Sequence, residues 1–131
     1  MSQRYSMLVV DDEPVIVSML HEVFRPAYKV MSAASGEEAL ELLGSHHVDV
    51  IITDQRMPGM SGTQLLERSL EINPKIVKII LSAYTDTTDI LKAINVCRIN
   101  HYLVKPVDLR KIEAVVKRAL ELVPESARYD V

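Results

Sequence analysis

Polar side chains that could do chemistry follow four apolar runs of the sequence, at the point where each run ends. The runs are residues 7–10, 50–53, 76–81 and 99–104, and the side chains are Asp11 and Asp12, Asp54, Ser82, and Lys105. If the runs are strands of one parallel sheet, their carboxyl ends meet at one edge. Three carboxylates gathered there would repel one another, and a hard divalent cation such as Mg²⁺ removes that cost. With the Lys105 amine and the Ser82 hydroxyl, this set could neutralise the oxygens of a transferring phosphoryl group.

Each of these side chains also has an ordinary structural explanation. Asp11 could cap a helix, Ser82 could lie in a turn, and Lys105 could be a solvated charge; for Asp54 alone, a turn role and an active role are about equally favoured. The inference therefore depends on the whole set, because chance alone rarely places all of these groups at strand ends.

The surrounding pattern predicts the elements that would position the set. The β-branched run before Asp54 is typical of a strand buried on both faces. Ser61 and Gln64 have the spacing of a capping box that starts a helix. Further helices are expected to start at Pro14, after Ser35, near Asp86 and after Asp108. The helix that starts near Asp86, the fourth of the chain, should turn Ile90, Ala93 and Ile94 inward. Residues 28–32 are expected to form a strand. Strands and helices that alternate in this way predict an α/β fold, a single doubly wound five-stranded parallel sheet with five helices.

Composition narrows the class of protein. At 131 residues, with 48% hydrophobic and 25% charged residues, the chain is expected to form one globular domain, residues 1–122, followed by a tail or the start of a linker, 123–131. A net charge of -3 argues against direct binding to nucleic acid or to an anionic membrane. No apolar run approaches the roughly 20 residues of a membrane span. The single cysteine, Cys97, rules out an internal disulfide and favours the cytoplasm.

The motifs together resemble the receiver domain of bacterial two-component response regulators. They are Asp11-Asp12, Asp54-x-x-Met57-Pro58-x-x-x-Gly62, Ser82-Ala83 and Lys105-Pro106. The resemblance implies a flavodoxin-like fold of the receiver type. It also implies that Asp54 accepts a phosphoryl group from a partner histidine kinase or phosphotransfer protein.

The resemblance assigns roles to the other residues of the set. Asp12 and Asp54 would bind Mg²⁺ directly, together with the backbone carbonyl of Arg56, and Asp11 would help through a bound water. Lys105 would contact the phosphoryl group, and the Lys105-Pro106 bond would be cis.

The resemblance also implies a conformational switch. Ser82 and Tyr102 would respond to the phosphoryl group and change the surface built from helix four, strand five and helix five. A downstream effector domain or protein would read that surface, and a homodimer is left open. Arg56 and Tyr84 would flank the water that hydrolyses the aspartyl phosphate. Since neither is a small polar residue or a carboxylate, we expect slower hydrolysis than in receivers that have such groups there. The competing outcome is that Arg56 stabilises the transition state and speeds hydrolysis.

Two alternatives remain at this point. The first is a Mg²⁺-dependent phosphohydrolase with an aspartyl nucleophile, similar to the haloacid dehalogenase type. Such enzymes place a second acid two residues after the nucleophile, where this chain has Arg56, so we expect a signalling switch and no enzyme acting on other substrates. The second is a pseudo-receiver that acts only by docking, which the complete set of acids, hydroxyl and lysine disfavours.

Overall fold

Strands and helices alternate throughout residues 4–83 and 86–122, the part of the chain that the structure, a computed structural model, describes. The strands are β1 (Ser6–Val10), β2 (Lys29–Ala33), β3 (Val50–Thr53), β4 (Val77–Ser82) and β5 (His101–Val104). The helices are α1 (Pro14–Phe24), α2 (Gly36–Ser45), α3 (Gly62–Ile72), α4 (Thr87–Lys92), which a π-helical turn (Ala93–Cys97) continues, and α5 (Leu109–Glu121). Tyr84 and the predicted tail 123–131 lie outside the described residues, so the division at residue 122 stays a prediction.

The strands form one parallel sheet in the order β2-β1-β3-β4-β5. The strand that leads to Asp54, β3, is therefore central. The chain order reverses between β1 and β3, and the crevice beyond the carboxyl ends of two such strands is where open α/β sheets bind ligands. This arrangement confirms the predicted fold class.

Helices cover both faces of the sheet, and each face has its own apolar core. On one face α1 and α5 pack on the sheet through Leu20, Phe24, Ile112 and Val116. On the other face α2, α3 and the π turn pack on it through residues that include Leu43, Leu65, Leu66 and Cys97. Because both faces are covered, all four residues of β3 are buried. The central strand is thereby held firmly where its carboxyl end must present Asp54.

The helix starts follow the predicted capping chemistry. Pro14 is the first residue of α1. At α3, Ser61 and Gln64 make both bonds of the predicted capping box, and the Asp86 and Asp108 carboxylates accept backbone N–H bonds at α4 and α5. No helix of the described part is long and apolar enough to cross a membrane.

The fourth helix departs from the prediction. It has only six regular residues before the chain widens into the π turn. Ala93 is buried as predicted, but Ile90 is only partly buried and the prediction for Ile94 was wrong, since its side chain is exposed. A π turn has more residues per turn than an α-helix, so helical spacing no longer predicts which positions face the core. Arg98, in the left-handed conformation with φ 56°, then ends the turn, and β5 begins at His101.

Candidate functional site

The loop after β1 places two of the three predicted carboxylates. The Asp11 N–H donates to the carbonyl of Ala33 on β2, which fixes the start of this loop. Asp11 is buried, and its Oδ1 accepts a hydrogen bond of 2.9 Å from the Glu13 N–H. Asp12 is exposed. The loop therefore holds one carboxylate inside the crevice and offers the next one to solvent.

Asp54 lies beside this loop because β1 and β3 are neighbours. Its N–H donates to the Val10 carbonyl at 2.9 Å, which extends the ladder by one residue. The side chain is buried, and its Oδ1 accepts a hydrogen bond of 2.8 Å from the Gln55 N–H. A Cβ at position 62 would collide with the Asp54 backbone carbonyl, so only Gly62 permits α3 to start this close to the acceptor.

Lys105 enters the crevice from the end of β5. The Lys105 N–H donates to the Ser82 carbonyl at 2.8 Å, and the Lys105-Pro106 bond is cis, as predicted. The Nζ donates to Asp11 Oδ2 at 3.0 Å and lies 3.7 Å from Asp54 Oδ2 and 3.7 Å from Glu13 Oε1. The Lys105 ammonium group thus lies within ion-pair distance of three carboxylates, including that of Asp54.

Burial and charge act against each other in this cluster. Burial raises the pKa of Asp11, while the Glu13 N–H and the bond from Lys105 lower it and the Asp54 charge raises it; the net pKa is above its ordinary value. Burial lowers the pKa of Lys105, but its bond to Asp11 and the surrounding negative charges outweigh burial, so the net pKa is raised. Lys105 therefore only partly offsets the cost of burying the charged Asp11 carboxylate.

The donor set fits a hard divalent cation. Asp11, Asp12 and Asp54 can each offer one oxygen within a group that spans no more than 4.8 Å. Only oxygen atoms are offered, as Mg²⁺ requires, and the exposed Asp12 leaves room for waters that Mg²⁺ keeps. The residues present therefore fit this ion.

Ser82 and Tyr102 lie together on the opposite side of Asp54 from the β1 loop. Ser82 ends β4 and is fully buried. Burial raises the pKa of Tyr102, a side-chain hydrogen bond with Ser82 lowers it, and the charges of Asp89 and Asp54 raise it; the net pKa is raised. The two predicted switch residues are thus in direct contact.

The Arg56 side chain is exposed, and its positive charge acts to lower the pKa of Tyr102. Tyr84, the second residue predicted to affect hydrolysis, lies outside the described residues.

Comparison with known proteins decides the family. A sequence model described as the response regulator receiver domain matches residues 7–117. The chain belongs to this family. Receiver domains are signalling switches, and members of the family bind Mg²⁺ at an acidic pocket, which here corresponds to the cluster of aspartates.

Curated relatives support the assignment. Sporulation initiation phosphotransferase F of Bacillus subtilis is 33% identical over 117 residues, which cover 88% of this chain and 94% of that protein. The hydrogenase transcriptional regulatory protein HoxA of Cupriavidus necator is 37% identical over 119 residues, which cover 91% of this chain but 25% of HoxA. The receiver domain therefore spans about a quarter of the length of HoxA.

Solved structures give the same result. The signal receiver domain of an HD domain-containing protein from Pseudomonas fluorescens Pf-5 matches with a TM-score of 0.88 and 35% identity, covering 91% of this chain and 96% of that one. A CheY-like response regulator receiver domain protein from Methanospirillum hungatei JF-1 also has a TM-score of 0.88, at 26% identity, covering 91% and 95% of the two chains.

The structure adds residues to this receiver site that the sequence pattern did not single out. Glu13, the third acid after β1, has its Oε1 3.7 Å from the Lys105 Nζ, which is within ion-pair distance. Gln55, directly after the predicted acceptor, is buried and hydrogen-bonded to Thr63 at the start of α3. The run of three acids was a visible signal for Glu13. Nothing in the local sequence indicates that the Gln55 side chain turns inward.

Proposed function

We propose that this receiver domain accepts a phosphoryl group on Asp54 from a histidine kinase or a phosphotransfer protein. The proposal rests on the different contacts that the two oxygens of this carboxylate make. Oδ1 is held by the Gln55 N–H at 2.8 Å, whereas Oδ2 faces the Lys105 ammonium at 3.7 Å. Oδ2 is therefore the oxygen that would attack, beside a cation suited to the charge of the phosphoryl oxygens.

The proposed transfer is a simple displacement at phosphorus. A bond forms between Asp54 Oδ2 and phosphorus while the phosphorus–nitrogen bond of the donor phosphohistidine breaks. The imidazole keeps the electron pair of that bond and takes up a proton. Lys105 would stay within reach of the phosphoryl oxygens throughout, because its Nζ is anchored on Asp11 at 3.0 Å.

Mg²⁺ is the proposed cofactor. Asp12 and Asp54 would bind it directly with the backbone carbonyl of Arg56, and Asp11 would contribute through a bound water. When bound, the ion would neutralise charge on the phosphoryl oxygens. The aspartates that lie within 4.8 Å of one another support this role.

Ser82 and Tyr102 are proposed to respond to the phosphorylation of Asp54. A phosphoryl oxygen on Asp54 would compete with Tyr102 for the Ser82 hydroxyl, since the two side chains are hydrogen-bonded here. A shift of Tyr102 would then alter the surface of α4, β5 and α5. Leu91, Ile94 and Val104 expose apolar side chains on this surface, which supports its use as a docking face.

The partners that follow from this proposal are the phosphoryl donor and a downstream effector domain or protein. The length of HoxA beyond its receiver-like quarter supports an effector in the same chain for that relative, while the near-complete coverage of the Bacillus subtilis phosphotransferase supports a separate partner. A homodimer through the same face is a further option. We place the domain in the cytoplasm, where such donors act.

A direct test is labelling with acetyl phosphate and Mg²⁺, with the modified residue located by mass spectrometry. We expect one phosphoryl group on Asp54 in the wild type and none at this site in Asp54→Ala. Asp49→Ala is a matched control, because Asp49 is also largely buried after a loop but binds the Ser6 N–H at the opposite edge of the sheet. Equal labelling of wild type and Asp54→Ala would refute the acceptor assignment.

The same experiment separates the alternatives. Asp12→Ala should keep the fold and lose Mg²⁺-dependent labelling, because one of three clustered ligands is removed. A wild-type protein that binds no Mg²⁺ and takes no label would instead be a pseudo-receiver. Turnover of many equivalents of a phosphate ester would indicate a phosphohydrolase, which Arg56, at the position where those enzymes have an acid, disfavours.

A further inference from the structure

The backbone N–H of Gln55 is placed to sense the charge of Asp54. It donates to Asp54 Oδ1 at 2.8 Å, and both residues are buried. A hydrogen bond to a carboxylate is about twice as strong as one to a neutral acceptor. When Oδ2 becomes part of an acyl phosphate, Oδ1 becomes the oxygen of a neutral carbonyl group. Phosphorylation would therefore weaken this one bond directly.

The Gln55 side chain ties the same residue to the start of α3. Its Oε1 accepts from the Thr63 N–H at 2.9 Å, and its Nε2 donates to Thr63 Oγ1 at 3.2 Å. The Gln55 carbonyl accepts from the Gly62 N–H at 2.8 Å. Gln55 and Thr63 are both buried, so water does not readily replace these bonds. A movement of Gln55 would therefore move the first turn of α3.

The first turn of α3 in turn contacts the end of the π turn. The Cys97 Sγ–H donates to the Thr63 carbonyl at 3.2 Å, and Cys97 is fully buried. Arg98 follows in the left-handed conformation, and His101 then opens β5. A π turn inserts an extra residue into a helix and is frequently found at functional sites. Thr63 therefore joins the acceptor loop to the π turn that continues α4.

We propose that Gln55 and Thr63 form a second coupling route from Asp54 to the π turn, parallel to the route through Ser82 and Tyr102. The proposal rests on the proposed function of Asp54 as the phosphoryl acceptor. Gln55 acts as the sensor through its N–H, its side chain carries the displacement to Thr63, and the Thr63 carbonyl passes it to Cys97. Neither residue touches the phosphoryl group, so both are positioning residues.

The test compares Thr63→Val with Thr63→Ser. Valine has nearly the shape of threonine but lacks the hydroxyl, so the Gln55 Nε2 loses its acceptor and the 3.2 Å contact between Thr63 Oγ1 and Ser61 Oγ is lost, while the backbone bonds of Thr63 remain. Serine restores the hydroxyl. Ser69→Ala is the matched control, because it removes a buried hydroxyl of α3 that donates to the Leu66 carbonyl within the same helix. Backbone NMR spectra are recorded with and without beryllofluoride, an unreactive mimic of the phosphoryl group, in Mg²⁺.

In the wild type, we expect beryllofluoride to shift the amides of Gln55, Val96 and Cys97. In Thr63→Val the shifts at Val96 and Cys97 should fall by about twofold or more, as expected for a residue that carries part of a coupling. Thr63→Ser and Ser69→Ala should keep them, and the shift of Tyr102 should persist in all variants. If Thr63→Val is poorly folded, Cys97→Ala supplies the same test at the last link, read from Val96.

The outcomes separate this proposal from the function on which it rests. If beryllofluoride shifts nothing near Asp54 in the wild type, the proposed function fails and the coupling route fails with it. If the wild type responds and Thr63→Val keeps the full shift at Val96 and Cys97, the coupling route alone is refuted. Loss of the shift in Thr63→Val together with its recovery in Thr63→Ser supports the route.

Discussion

Replacement of Lys105 by methionine tests how much the Lys105 charge contributes to the stability of a fold that holds several carboxylates close together. Methionine is close to lysine in length and apolar, so Lys105→Met removes the charge with little change in packing. The buried Asp11 and the nearby Asp54 then lose the ammonium group that lies 3.0 and 3.7 Å from their Oδ2 atoms. We expect the metal-free protein to lose stability and to depend more strongly on Mg²⁺ than the wild type does.

The magnitude follows from the distances. At an effective dielectric constant of about 20, the 3.0 Å pair of Lys105 and Asp11 has a Coulomb energy of about 5.5 kcal/mol. Part of this energy only offsets the cost of removing both charges from water. Because the Lys105 side chain is only 15% exposed, solvent screens little of the remainder. Loss of one partner of a buried pair costs about 3–5 kcal/mol, and the slight exposure of Lys105 reduces the expected loss here to about 2–4 kcal/mol in the free energy of unfolding.

The assay is urea unfolding, followed by far-ultraviolet circular dichroism at neutral pH in the presence of a chelator. With a typical slope of about 2 kcal/mol per molar urea, Lys105→Met should unfold about 1–2 M earlier than the wild type. Saturating Mg²⁺ should stabilise the variant more than the wild type, by about 1 kcal/mol or more, since no ammonium group then repels the ion.

Lys92→Met is the matched control. Its ammonium lies 3.6 Å from Glu67, but the two side chains are 42% and 48% exposed, so this ion pair should contribute no more than about 1 kcal/mol. The control should also show no extra response to Mg²⁺. The reasoning is refuted if Lys105→Met is no less stable than Lys92→Met in chelator, or if Mg²⁺ stabilises it less than the wild type.

Further variants test other parts of the site. Ser82→Ala removes the hydroxyl next to Tyr102; labelling of Asp54 should continue, but the NMR shift of Tyr102 on phosphorylation should fall well below that of the wild type, and equal shifts would rule out this coupling. Arg56→Asn replaces a guanidinium that we expect to stabilise the phosphorylated ground state with a group able to orient water, so first-order dephosphorylation in Mg²⁺ should be about tenfold faster; an unchanged or slower rate would contradict this. Lys78 is buried, and burial lowers its pKa below the ordinary 10.5. The folded state then binds fewer protons at Lys78 than the unfolded state between the lowered pKa and 10.5, so Lys78 contributes a rise in stability with pH across that window, while the raised pKa values of Cys97 and Tyr102 act in the opposite direction. In urea unfolding, the stability of Lys78→Met should therefore rise less, or fall more, with pH than that of the wild type, and an equal pH dependence of the two proteins would contradict this.

The local signals in the sequence predicted the elements well where each element depends on its own residues. The capping box of Ser61 and Gln64 and the position of Pro14 are confirmed, because caps and first-turn prolines act within a few residues. The prediction for Ile94 failed because a π turn is stabilised by packing of Ala93 and Cys97 against α3, which the helical spacing of apolar residues does not encode.

The sequence by itself determined that five functional side chains lie at or just after the ends of strands, namely Asp11, Asp12, Asp54, Ser82 and Lys105. A parallel sheet brings such positions to one edge whatever the details of packing. Only the tertiary structure decided which of these groups pair with one another, and at what distance. Lys105 donates to Asp11 and stands farther from Asp54, and the Gln55 side chain turns inward to Thr63. These choices depend on distances of a few tenths of an ångström between segments far apart in the chain. Such distances are set by the close packing of the two cores around the sheet, which no single stretch of sequence specifies.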